Sequence, residues 1–220
     1  MNELKALIEK EIRLEWRQRY ALNGMLLYVI STVFVCYLGF KVRMGGIDPL
    51  TWNTLFWIII LFTATTSISK SFTQERAGRL LYYYTIANPK TIILSKIIYN
   101  SFLMTVLSVL GFGFYALVMD NPLQNQLVFL VSIVLGSMAF AGTLTLISGI
   151  ASKAENNSTL MAVMSFPLIL PSLLIVMKLA KNALDGLAWS ASYDEIGLLI
   201  ALNILVVAMS YILFPFLWRS

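Results

Sequence analysis

The 220-residue sequence contains no histidine and one cysteine, and only 12% of its residues are charged. Without imidazole, a serine has no histidine base to activate it, and haem iron or zinc loses its preferred nitrogen ligand. Cys36 lies alone inside an apolar run, which excludes an intramolecular disulfide and a cysteine metal cluster. The dipeptide Gly-Lys never occurs, so the phosphate-cradling loop GxxxxGK[ST] is missing and ATP cannot be hydrolysed by that route. The scarcity of charge excludes a water-soluble enzyme. Soluble domains are about a quarter charged, whereas this chain is 59% hydrophobic with a mean hydropathy of +0.79.

What the sequence does have is long uncharged stretches. Six runs lack Asp, Glu, Lys and Arg: residues 22–40, 52–68, 97–118, 127–150, 160–177 and 196–217. About 20 apolar residues cross the hydrocarbon core as a helix. Strands of this kind would have to alternate lipid-facing and lumen-facing residues, and these runs do not. The pattern predicts an all-α polytopic membrane protein with six transmembrane helices in one domain over residues 1–220. The 52–68 run is the shortest and ends in hydroxyls, residues 63–69, which a helix can bond to its own carbonyls. The mixed charge of residues 1–20 does not fit a cleaved signal peptide, so this segment is expected to stay. With six spans, 12 Lys and Arg fall on the side of both termini, against 4 opposite (Lys41, Arg43, Lys178 and Lys181). Basic residues stay cytoplasmic, so both termini are expected in the cytoplasm. The excess of positive charge is then a topology signal and requires no nucleic acid.

Residues 3–20 can form one amphipathic helix suited to the membrane interface, with Leu4, Leu7, Ile8, Ile12 and Trp16 in its apolar sector and Lys10, Arg13 and Arg17 opposite. Glu11 and Glu15 break this pattern, because both project into the apolar sector one turn apart. Either they snorkel or pair locally, as Glu15 could with Arg19, or they face protein and meet basic groups of a partner or of the 69–96 connection. That connection is longer than a plain loop needs. It predicts a short helix from Lys70 to Gly78, an apolar–aromatic stretch over residues 80–84, and a turn at Asn88-Pro89. Its mixed charge suggests a docking surface. Residues 178–195 have helical character on the far side. Pro167 and Pro171 mark a kinked or moving fifth span. Gly136 and Gly142, in a span rich in small residues, allow close helix packing within the subunit or across a dimer.

No span contains an ionisable side chain, which disfavours ion-coupled transport and intramembrane catalysis. Two classes remain. One is the membrane half of an ATP-driven pump worked by a separate ATPase, and the other is a passive membrane scaffold. In both, the chain is not itself an enzyme.

The layout resembles the type-2 ABC exporter permeases and, within them, the CcmB family, the haem exporter protein B of cytochrome c maturation. The residues carrying the resemblance are Glu11-Ile12-Arg13 with Trp16-Arg17, then Phe72, Glu75 and Gly78, then Leu94-Ser95-Lys96, and Phe166-Pro167-Leu168-Ile169-Leu170-Pro171. One departure is Arg79-Leu80-Leu81, where the family often has an acidic residue. The resemblance implies an ABC ATPase partner (CcmA-like), CcmC-like and CcmD-like membrane proteins, a place in the bacterial inner membrane, and haem delivery or release of a haem chaperone. It also implies an ATPase contact at Gln74, Glu75, Arg76, Gly78 and Arg79, supported by Glu11 and Arg13 of the first helix, whose interfacial residues also include Glu15, Trp16 and Arg17, with Pro167 and Pro171 as the mobile element. A homodimer fits the same layout. The expected cofactors are none held by this chain itself, with ATP used by the partner and haem handled by the complex. The alternative cargo is a lipid, glycan or drug.

Overall fold

The structure is a computed structural model that describes residues 2–17, 19–41, 47–69, 71–72, 87–152 and 157–219. The described elements are helices, with no strand among them. They are α1 (Asn2–Arg17), α2 (Arg19–Cys36, continued by a π turn, Tyr37–Lys41), α3 (Pro49–Ile68), α4 (Pro89–Val118), α5 (Gln126–Ala151), α6 (Asn157–Leu184) and α7 (Tyr193–Arg219). A 3-10 turn, Trp189–Ser192, precedes α7. The chain is an all-α polytopic membrane protein, and six of its helices, α2 to α7, are long and apolar enough to span a bilayer. In hydrocarbon only an element that satisfies its own backbone bonds can cross, which is why uncharged runs of this length fold as helices.

Three spans start on the same local device. Asp48, Asn88 and Asn125 cap α3, α4 and α5, their side chains accepting from the backbone N–H groups of Thr51, Lys90 and Val128. Pro49 and Pro89 take the first helical position, where a missing N–H costs nothing. Two bonds from Thr51, side chain and backbone, hold the Asp48 carboxyl below its usual range. The hydroxyls closing α3 turn inward on their own helix, as the sequence predicts: Thr63 donates to the Ile59 carbonyl at 2.7 Å, and Thr66 to that of Phe62 at 2.9 Å.

The helices extend beyond the uncharged runs. The third span begins at Pro89 instead of residue 97, the fifth continues to Leu184, and the sixth starts at Tyr193. The 178–195 segment is therefore the end of α6, a turn and the start of α7. It is fastened at one end of the bundle by Lys178 on Glu195 at 2.7 Å and by Asn125, whose N–H donates to the Ala183 carbonyl at 3.0 Å. Gly186 in that turn has φ +68, and a Cβ there would sit 2.3 Å from Gln124 Oε1. Only glycine fits.

α5 is the central post. It packs on α3, α4, α6 and α7, while α2 and α7 turn most of their surface outward. Small residues let its neighbours close in. A Cβ on Gly136 would lie 2.7 Å from Val176 of α6 and 2.9 Å from the Trp57 ring of α3. One half of the core is aromatic, with Trp52 and Tyr115 at 4.8 Å and Phe112 and Phe129 at 5.0 Å between centroids. The Tyr115 hydroxyl donates to the Trp52 carbonyl, and the Trp52 indole to that of Asp120. A smaller cluster of Phe72, Ile92, Ile93, Ile97 and Phe214 closes the other end, where Leu7 of α1 packs against it.

Candidate functional site

α1 lies lengthwise on α4, running in the same direction. Glu3 accepts from the Asn88 N–H at 2.8 Å, Glu11 meets Lys96 at 3.2 Å, and Glu15 lies beside the Tyr99 phenol. Three carboxylates spaced in steps of four and eight residues thus form one stripe, matched turn by turn to the start of α4. Glu11 and Glu15 face protein, and Glu11 pairs both locally, with Lys10 at 3.0 Å, and with Lys96 of the 69–96 connection, so both readings open from sequence hold for it. The apolar sector divides accordingly. Leu4, Leu7, Ile8 and Leu14 are half-buried toward the bundle, whereas Ile12 is 45% and Trp16 68% exposed.

Lys96 is the centre of this site. Its side chain is 1% exposed. Its ammonium donates to the Ser71 carbonyl at 2.7 Å, pairs with Glu11, and lies 4.8 Å from the Phe72 ring centroid. A buried ammonium is tolerable only when its donors are satisfied, and here a carboxylate, a carbonyl and an aromatic face do so together. One turn on, Asn100 donates to the Ser71 hydroxyl at 3.1 Å and to the Thr145 hydroxyl at 2.8 Å. Ser148 donates to the Ser69 carbonyl at 3.3 Å. The chain leaving α3 is therefore fixed to α4 and α5 through Ser69, Ser71 and the buried Phe72, which stacks 5.4 Å from Phe214. Four separate pieces of sequence, α1, residues 69–72, α4 and α5, meet at one end of the bundle.

The sequence-predicted residues distribute as follows. Gln74, Glu75, Arg76, Gly78 and Arg79 lie outside the described residues, as do Lys70 and the aromatic stretch. Ser71 and Phe72, the described residues of the helix expected from Lys70 to Gly78, lie in a turn. Arg13 pairs with Glu9 on the exposed side of α1, and Arg17 is exposed in its last turn. Glu15 is half-buried. Desolvation pushes its carboxyl up from the usual value, the Tyr99 phenol opposes this, and the nearby Glu11 charge adds to it. Its Oε1 is buried with no hydrogen-bond partner. Pro167 and Pro171 sit inside an uninterrupted α6 on its exposed side, away from the core. Gly136 stands at the α3–α5–α6 junction, and Gly142 approaches Val206 of α7.

Sequence reasoning did not single out Lys96, Tyr99, Asn100 or Ser71 as the site. A signal was present: Lys96 and Asn100 fall on the same buried stripe of α4 as Ile93, Ile97, Met104 and Leu107. Polar residues at three- and four-residue spacing on an apolar stripe mark a polar contact inside a bundle.

Compared with protein-family models, residues 2–217 match the one described as CcmB protein. No curated protein matches the chain.

Proposed function

The chain belongs to the CcmB family, and from that premise we propose that it is the membrane permease subunit of an ABC-type complex in cytochrome c maturation, serving haem delivery or release of a haem-carrying chaperone. ATP is hydrolysed by a CcmA-like partner, and CcmC-like and CcmD-like proteins complete the assembly in the bacterial inner membrane, with both termini cytoplasmic. The observation that supports force transmission is the buried Lys96 node. Residues 73–86 connect Phe72 to Ala87, and both ends belong to the cluster under Lys96. A push on that connection by an ATPase thus reaches α1, α4 and α5 through bonded contacts.

The chain's own residues give it no histidine for haem iron, and α4 and α5 are bonded directly to each other, Ser137 donating to Ser108 at 2.9 Å. Haem is accordingly held by a partner. The purified chain alone is expected to show no stable Soret band, and a stoichiometric one overturns this part. The coupling role is tested by co-purification with the ATPase and by charge reversal, Glu75→Lys and Arg76→Glu. Loss of the bound ATPase or of its stimulation supports the permease. Retention of both, with ATP turnover unchanged, identifies a scaffold.

A further inference from the structure

A groove of about 540 Å³ opens sideways between α4 and α7, with Met138 of α5 behind it. Its walls are Leu94 and Ile97 on one side and Ile204, Val207 and Ile212 on the other. Asn203 also lines it, but its amide N–H groups are spent on the Leu135 and Leu199 carbonyls at 3.3 and 2.8 Å. The surface offered is thus almost wholly hydrocarbon. From Asn203 to Ile212 the groove follows α7 for about 14 Å at about 1.5 Å per residue, along the bundle axis. At the end that carries α1, the groove meets Tyr211, and the Lys90 ammonium lies 4.6 Å from that ring's centroid. Lys90 forms no ion pair with an Asp or Glu among the described residues, and it stands one turn before Leu94 on the same helix.

A long apolar slot parallel to the helices, closed at the membrane surface by an aromatic ring and a cation with no acidic partner among the described residues, has the chemistry of a phospholipid site. We propose that this groove holds one acyl chain of a resident anionic phospholipid whose phosphate rests on Lys90. A neutral transmembrane helix laid in the slot would bring the Lys90 charge no counterion beyond the described residues, which supply none. An anionic headgroup supplies one, at the depth where headgroups lie. The lipid is a fixed component of the subunit, distinct from any cargo, and the groove adjoins the Lys96 node through Ile97.

The test uses the full chain, co-expressed with its partner subunits and reconstituted into bilayers of equal parts phosphatidylglycerol and phosphatidylcholine. After extraction into mild detergent, retained lipid is read by native mass spectrometry. The expected result is a phosphatidylglycerol adduct on the wild-type chain. It falls roughly fivefold in Lys90→Gln and disappears in Ile204→Trp, which fills the slot. A matching change on the outward face of α6, Leu174→Trp, leaves it unchanged. Equal retention of both lipids, or a Lys90→Gln chain that retains phosphatidylglycerol like the wild type, overturns the proposal. So does an Ile204→Trp chain that loses a partner subunit or a second copy while its lipid stays, because the occupant is then a helix.

Discussion

At Lys96 a full positive charge is held among apolar side chains by Glu11, the Ser71 carbonyl and the Phe72 ring. Removing one member of a buried pair costs more than removing both. Glu11→Ala is expected to destabilise the protein by roughly 3–5 kcal/mol, by taking the Glu11 carboxylate from a buried ammonium. The double change Glu11→Leu with Lys96→Met should cost only about 1 kcal/mol, for the Ser71 carbonyl left unpaired. Denaturation midpoints of the three proteins in one detergent measure this, and a double variant as unstable as the single removes the ion pair from the explanation. Glu15 behaves in the opposite sense. Its folded pKa is raised above the usual 4.5, so its favourable contribution is complete below that value and is lost as pH rises through the folded one. At neutral pH, Glu15→Gln, which keeps a partner for Tyr99, should slow amide exchange in α1 relative to the wild type. The difference should vanish below about pH 4.5. Faster exchange in the variant at neutral pH would contradict the assignment. Neither role is visible from composition: a Glu on an apolar sector reads as a misfit until the facing helix is known.

Among elements, α5 decides the packing. Between helices in lipid there is little hydrophobic drive, so contact depends on how closely backbones approach. Gly136→Ala places a methyl within 3 Å of both Val176 and the Trp57 ring, and overpacking of this kind costs about 1–3 kcal/mol. Gly142→Ala meets only Val206, at 3.2 Å; a shift of that side chain, offset by the better helix propensity of alanine, leaves it near neutral. Thermal unfolding of the two variants side by side distinguishes them, and equal losses would mean the Gly136 junction is not tight. Small residues are legible in a sequence, but which of them touches a tryptophan is not. The limits of the spans were legible to within a few residues for α2, α3, α5 and α7 and were too short for α4 and α6. The uncharged-run criterion stops at Lys96, Lys178 and Glu195, yet these three charges are inside helices, paired across to Glu11 and to one another. Pairing makes a charge compatible with a helix end, and pairing is a three-dimensional fact.

For the molecule as a whole, six spans were readable because about 20 apolar residues have one stable form in a bilayer. The alternation of the helices follows from where their ends meet: Asn125 with Ala183 at one end, Ser69 with Ser148 at the other. Reporter fusions at residues 1 and 220 are expected to read as cytoplasmic, and a reporter between Lys41 and Ile47 as external. The reverse result would discard the charge-based orientation. The docking of α1 on α4 joins segments 85 residues apart in the chain. At roughly 5–20 residues per second of synthesis, the ribosome needs several seconds after releasing Glu11 before Lys96 emerges. During that wait Glu3, Glu11 and Glu15 lack the α4 groups that they face in the folded protein. The α1–α4 contact can therefore close only once the third span has been made, so the order of translation sets the order of assembly.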